Sequence, residues 1–437
     1  MNLLPDGWRM VKIQDLTIRA KQRDPSKNPN KPFRYVDVSS VSNTLFKIET
    51  STEMLGAEAP SRARKEIKAK DILFATVRPT LKRIALVPQE LDGEIASTGY
   101  CVLRPQPDKI VPEFLYHSVL TNSFVKAMGA LEHGVSYPAI RDTDVLSVQI
   151  PLPPLDEQCR IAHVLTTVQT AIEQQARLIA LTRELKSALM KKLFTEGLPG
   201  EGRPNRSLRP VRSMVETEIG LVPEGWDVKL LESMITTIDY GTSIKCDYTQ
   251  KSFPVLRIPN VTSGAIDISD LKFGQPKKNE IDNLKLRKGD LLFVRTNGVQ
   301  ENAGRCAMFS GEIDGCYFAS YLIRVRLDDR QLLPEYMNWY VRTEVGKSFL
   351  SGRAVRTADG KFNINAGTIR KVLVPIPKID EQEEIATKLN LIEQKINLHK
   401  QRQVFLQELF RTLLHQLMTG QIRVKEDVVE DRSLWHN

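Results

Sequence analysis

The sequence is short of the residues that announce chemistry. Its five cysteines (Cys101, Cys159, Cys246, Cys306, Cys316) are odd in number and include no Cys-x-x-Cys pair, so neither a disulfide framework nor a zinc site is signalled. The six histidines are scattered at no metal-ligand spacing. No phosphate-cradling Gly-x-x-x-x-Gly-Lys-Ser/Thr loop occurs; Glu344-Val345-Gly346-Lys347-Ser348 comes nearest, but Val341 stands where the first glycine is required. Also missing are Gly-x-Gly-x-x-Gly, the Asn-Pro-Pro-aromatic string of amino-methyltransferases, His-Glu-x-x-His and Gly-x-Ser-x-Gly. No stretch reaches about 18 uncharged apolar residues, and no basic segment leads into an apolar run at Met1, so neither a membrane span nor a secretion signal is read. These absences favour a cytoplasmic binding or scaffold protein over an enzyme, with no metal and no cofactor of its own.

What is present is ordinary globular composition, 41% hydrophobic and 26% charged. A chain of 437 residues exceeds what one core usually serves, so two or more domains are expected. The net charge of +9 favours a polyanionic partner.

Aligning the chain on itself decides its organisation. Leu4-Pro5-Asp6-Gly7-Trp8 recurs as Val222-Pro223-Glu224-Gly225-Trp226, and Val38-Ser39-Ser40-Val41 answers Ile258-Pro259-Asn260-Val261. Lys70-Asp71-Ile72-Leu73-Phe74 answers Gly289-Asp290-Leu291-Leu292-Phe293, and Val111-Pro112-Glu113-Phe114 answers Leu333-Pro334-Glu335-Tyr336. Ile150-Pro151-Leu152-Pro153 with Asp156-Glu157-Gln158 matches Val374-Pro375-Ile376-Pro377 with Asp380-Glu381-Gln382. Matches kept in order, at a separation that drifts only slightly, are the mark of duplication. Between them identity is low: Gln89 to Ser97 and Gly298 to Ala319 differ in length and content, so the copies share a fold and not a surface. Short β-rich runs at Ile72 to Val77 and Leu291 to Val294 predict strands. Pro112 to Met128 and Pro334 to Phe349 each predict a helix with proline in its first turn.

After each Asp-Glu-Gln come about 40 residues without proline or glycine, which is roughly 60 Å of helix at 1.5 Å per residue. In the second copy Ile385, Leu389, Ile392, Ile396, His399, Gln403, Leu406, Phe410, Leu413 and Leu417 alternate spacings of four and three. Ile161, Leu165, Val168, Ile172, Gln175, Ile179, Thr182, Lys186, Leu189 and Leu193 hold the same register in the first. Such heptad stripes must be covered, and the matching stripe of the other copy is the nearest cover, so the helices are expected to pair as an antiparallel coiled coil. The alternative is that each stripe docks on its own globule. Gln175, His399 and Gln403 within the seam could fix its register.

The expected architecture is therefore α+β, with two mixed α/β globules at residues 1–155 and 221–379. Long helices follow at 156–196 and 380–420, with a Gly/Pro-rich linker at 197–220 and a tail at 421–437. Basic residues gather locally. Arg62, Arg64, Lys65, Lys68, Lys70, Arg78, Lys82 and Arg83 stand against only Glu66 and Asp71. In the second copy Arg287, Lys288, Arg295 and Arg305 flank the corresponding strand, and Arg353, Arg356 and Lys361 lie in the loop from Ser351 to Lys361. Arginine and asparagine are the residues that read guanine and adenine edges, and lysine holds phosphate. The candidate DNA contacts are Arg62, Arg64, Lys65, Arg78, Lys82, Arg83, Arg295, Asn297, Arg305, Arg353, Arg356 and Lys361, although a solvated charged rim would have the same composition.

The Pro-x-Gly-Trp openings at Pro5 and Pro223, the Ile-Pro-x-Pro…Glu-Gln junction before each helix, and the helix ends Lys192-Leu193-Phe194-Thr195-Glu196-Gly197 and Gln416-Leu417-Met418-Thr419-Gly420 resemble the specificity subunits of Type I restriction-modification systems. The resemblance covers nearly the whole chain; Lys378 replaces the second proline of the Pro153-Pro154 pair in the second copy. It implies two target-recognition domains, each reading half of a bipartite site in double-stranded DNA, with the helix pair as the ruler for the gap. It also implies two methylation subunits carrying S-adenosylmethionine and restriction subunits with an ATP-dependent motor. A nuclease or methyltransferase with a dispersed site, and a coiled-coil adaptor without DNA affinity, are the competing readings.

Overall fold

In the computed structural model, residues 4–134, 138–198, 213–249, 252–262 and 264–424 are described. Most of the expected linker, 199–212, and residues 425–437 of the expected tail lie outside them. The fold is α+β, and contacts divide it into two compact units: Met1–Ile179 with Leu398–Asn437, and Ala180–Asn397. Each unit thus holds one globule, the first part of that globule's own long helix and the last part of the other one.

In the first unit a four-stranded antiparallel sheet has the order Thr17–Arg19, Tyr100–Pro105, Ile72–Ala75, Ile84–Leu86. The predicted strand beginning at Ile72 is its interior, and all four of its residues are buried. Because successive side chains point to opposite faces, Ile72 and Phe74 enter one core with Ile13, Phe114 and Val119, whereas Leu73 and Ala75 enter another with Val36 and Val102. A second four-stranded sheet, Thr52–Leu55, Pro32–Val36, Ile95–Ser97, Ala63–Glu66, accompanies it.

The second unit repeats the plan. Its sheet runs Ile235–Tyr240, Leu322–Leu327, Leu291–Val294, Cys306–Met308, and the strand at Leu291 again divides its residues between two cores. Among the described residues the companion sheet has three strands, with none in the place of Ala63–Glu66. Met214–Thr217 pairs with Gly220–Pro223 as a hairpin that straddles the boundary expected between linker and second globule.

One expectation is corrected twice. The helices predicted from Pro112 to Met128 and from Pro334 to Phe349 are each broken, into Pro112–Leu120 and Asn122–Ala130, and Pro334–Tyr340 and Glu344–Gly352. Thr121 and Thr343 leave helical geometry, and their hydroxyls accept from the N–H groups of Phe124 and Gly346, capping the second helix of each pair. Apolar spacing ran on through the break and concealed it.

The long helices span Leu155–Glu196 and Ile379–Met418. Their recurrent junction motifs have a physical reason. Trp8 Nε1 donates to Glu157 Oε2 at 3.1 Å, and Trp226 Nε1 donates to Glu381 Oε2 at 3.2 Å. Gln158 accepts from the Val111 N–H and donates to the Pro153 carbonyl; Gln382 does the same with Leu333 and Pro377. The tryptophan and the Glu-Gln pair thus lock each globule onto the first turn of its helix, where the acidic Asp156-Glu157 and Asp380-Glu381 also suit the helix dipole.

Every seam position of both helices is buried or half-buried. In the first unit Ile161, Leu165, Val168 and Ile172 share a core with Leu406, Phe410, Leu413 and Leu417, so the start of one helix runs beside the end of the other. The globule's Phe114 and Val119 enter the same core, so the stripe is covered by both proposed surfaces at once. In the second unit Leu189 and Leu193 meet Ile385 and Leu389, and Lys186 pairs with Glu393 at 2.7 Å. The Gln175 Oε1 and His399 Nδ1 atoms are 2.8 Å apart, so two of the seam polar residues contact each other.

Candidate DNA interface

The candidate contact residues of the second globule gather on a small three-stranded sheet: Thr296–Asn297, Phe362–Asn363, Val355–Arg356. The Gly/Ala-rich basic loop is therefore a β-ribbon. Its turn is closed by the Thr357 N–H donating to the Lys361 carbonyl, and Gly360 supplies the left-handed φ of +81° that the turn needs. The ribbon adds to the strand that carries Asn297 and so brings Arg295, Asn297, Arg356 and Lys361 together.

Their surroundings differ. Arg295 lies over the Tyr240 ring, 4.9 Å from its centroid, and donates to the Ser320 carbonyl, which fixes its direction. Asn297 Oδ1 accepts from the Val299 N–H. Lys361 pairs with Asp359 at 2.9 Å, and Arg353 lies over Phe349, 3.7 Å from the ring centroid. Arg356 and Arg305 are exposed, and neither has an ion pair or side-chain hydrogen bond among the described residues. Exposed Tyr240 and Tyr321 border the ribbon; nothing in the charge pattern pointed to them.

The first globule builds the same ribbon more sparely, as single bridges Val77 to Ala139 and His133 to Ala139. The equivalence is exact in its hydrogen bonds: Ile140 N–H donates to the Thr76 carbonyl, as Ile364 N–H does to the Arg295 carbonyl. Sequence reasoning missed this ribbon because Glu132, His133, Gly134 and Pro138 carry no Lys or Arg. Aligning Ala139-Ile140-Arg141 on Asn363-Ile364-Asn365 would have exposed it.

The other basic candidates of this globule are dispersed. Arg62 is exposed beside the Ala63–Glu66 edge strand. On or beside that strand, Arg64 pairs with Asp24 at 3.3 Å and Lys65 pairs with Asp142. Arg78 is exposed, with a φ of +48°. Arg83 donates to the carbonyls of Val38, Ser39 and Val41, the shortest at 2.6 Å, and so serves as a loop brace. Lys82 donates to Asn122 Oδ1 at 2.6 Å and lines a cavity.

Burial pushes the thiols of Cys101, Cys306 and Cys316 up, the last to about 12, which leaves them without nucleophilic character at neutral pH. Among the described residues no group of His, Cys, Asp and Glu is placed to hold a metal ion, and no helix is long and apolar enough to cross a membrane.

The profile of the Type I restriction modification DNA specificity domain matches residues 5–183 and 223–408, one match for each copy of the repeat. The chain belongs to that family. It is 25% identical over 413 residues to the EcoKI specificity subunit of Escherichia coli, covering 90% of this chain and 85% of that one. It is 24% identical over 432 residues to the MjaVIII specificity subunit of Methanocaldococcus jannaschii, covering 97% and 94%. A solved chain described under the complex assembly and conformational transition of the type I R-M system is 28% identical, with a TM-score of 0.55, over 97% of this chain and 100% of that one. The S subunit from M. genitalium shares the fold, with a TM-score of 0.61 at 16% identity over 95% and 97%. This specificity-subunit chain therefore serves DNA sequence recognition within a Type I restriction-modification complex.

Proposed function

We propose that the chain is the non-catalytic reader of that complex, each globule recognising one half of a bipartite target in double-stranded DNA while the paired helices set the gap. The observation that carries this reading is the combination of two equivalent Trp–Glu junctions with two unlike ribbons: the frame repeats and the reading surface does not. On this reading Arg356, Arg305, Asn297 and Lys361 contact DNA from the second globule, with Arg295 and Arg353 behind them. Arg62 and Arg78 contact it from the first, with the ion-paired Arg64 and Lys65 behind them. Two methylation subunits bring S-adenosylmethionine and dock on the helix pair, restriction subunits bring the ATP-driven motor, and the assembly works in the cytoplasm. Linking two half-site readers raises affinity through effective concentration, and the spacer decides which separation is allowed.

The test is the methylation motif produced when the chain is co-expressed with its methylation subunit. A motif split by an unspecified gap is expected, and replacing residues 1–155 with those of a relative should change one half only. An unsplit motif, or a change in both halves, overturns the reading.

A further inference from the structure

The first unit contains a cavity of about 1140 Å³ between the globule and the end of the second long helix. Its floor is apolar, with Leu120, Phe124, Ile172, Phe410 and Leu414, and its rim carries Lys82, Lys126 and Arg411. No aspartate or glutamate is among its lining residues. Neither Lys126 nor Arg411 has an ion pair among the described residues. Burial, and then the Arg411 charge, hold the Lys82 ammonium below its ordinary range, as expected where cations converge without a carboxylate.

The second unit shows what equivalent positions hold when the chain fills them itself. In the alignment of the copies Arg342 answers Leu120, Lys186 answers Phe410 and Glu393 answers Gln169. There Arg342 stacks on Trp339 at 3.9 Å, and Glu393 takes Lys186 at 2.7 Å and Arg342 at 3.5 Å. Two cations are neutralised by one internal carboxylate. The first unit replaces all three by Leu120, Phe410 and Gln169; its cations, Lys82, Lys126 and Arg411, stand at other positions round the cavity, and no described lining residue is a carboxylate.

We propose that this cavity is the docking site for residues 425–437 of the same chain, which carry charge opposite to that of its rim. That segment reads Lys425-Glu426-Asp427-Val428-Val429-Glu430-Asp431-Arg432-Ser433-Leu434-Trp435-His436-Asn437: four carboxylates within six residues, then a Leu-Trp pair for an apolar floor. It starts beside the cavity, since Met418 and Thr419 line the wall and Val424 packs against the same core. Thirteen residues reach roughly 40 Å when extended, ample for any point of the cavity.

The test uses a fluorescein-labelled synthetic peptide of residues 425–437 and the full chain. In one variant Glu426, Asp427, Glu430 and Asp431 are replaced by Lys, which releases the chain's own segment. Because a tethered segment competes at an effective concentration on the order of millimolar, the peptide should bind this variant at least about tenfold more tightly than it binds the parent. Adding Arg411→Glu or Lys126→Glu, both at exposed positions, should remove that binding without changing the melting curve. Equal binding to parent and variant overturns the proposal, as does binding that survives both charge reversals. A parent that dimerises, and a variant that does not, would place the segment in a second copy and overturn docking within one chain.

Discussion

In the first globule His117 stands against Thr166, its Nε2 3.2 Å from the Thr166 hydroxyl, and in the second Trp339 Nε1 donates to Asn390 Oδ1 at 2.8 Å. The alignment superimposes these pairs: a ring on the short helix that follows the shared Pro-Glu, and a polar partner on the long helix. Close by, Asp71 takes Arg104, and Asp290 takes Arg326, each bidentately through Nε and Nη2. The ribbons, by contrast, share backbone pairing and little else. Duplication preserved contacts that hold the frame and released those that face outward, so equivalent mutations should have like effects in the frame and unlike effects at the ribbons.

The largest effect is expected at the buried ion pairs. Asp71→Ala leaves Arg104 charged with its side chain 11% exposed, and Asp290→Ala does the same to Arg326 at 18%. Each should lose about 3–5 kcal/mol in urea denaturation, the first more than the second, because an uncompensated buried charge is among the most destabilising defects. A loss below about 1 kcal/mol at either position would break the equivalence of the two frames.

The next effect separates the copies. Burial holds His117 down to about 3, whereas Trp339 in its place cannot titrate. The unfolded chain takes up a proton near pH 6.5 that the folded one refuses, so this stabilisation is complete above that pH and is lost as pH falls toward 3. Between pH 8 and 4.5 the first globule should lose on the order of 2–3 kcal/mol by this route. Segment-resolved hydrogen exchange should show residues 112–130 losing more protection than 334–352, and His117→Phe should abolish the difference.

At the ribbon the expected cost is smaller and one-sided. Arg356→Gln should weaken binding by about 1–3 kcal/mol if the guanidinium reads a base edge, and should relax the second half of the methylation motif only. Relaxation of the first half would contradict the assignment.

Most of the frame was legible because its signals are local and repeated. The Trp8, Glu157 and Gln158 positions recur with their partners, and the heptad spacing stated which helix faces would be covered. The breaks at Thr121 and Thr343 were hidden because a capping threonine does not disturb apolar periodicity. The candidate interface was legible only where charge marked it. Arg356 and Lys361 advertised the second ribbon, the first ribbon has no such signal, and Arg83 carried the right charge while facing three backbone carbonyls. Charge in a sequence reports composition, whereas contact depends on which cations the fold has already engaged.

That distinction gives the smallest and most selective test. Arg305 is exposed and has no side-chain partner among the described residues, so on the proposed reading Arg305→Gln should remove one phosphate contact, lowering affinity a few-fold and the slope of log affinity against log salt by about 0.9. Arg83 is spent on Val38, Ser39 and Val41, so Arg83→Gln should lower stability and leave that slope unchanged. Both substitutions remove one positive charge from the same chain, which cancels the long-range field and leaves only contact to differ. If Arg83→Gln shifts the slope as much as Arg305→Gln does, the loop brace also faces DNA, and engagement within the fold does not exclude a cation from the reading surface.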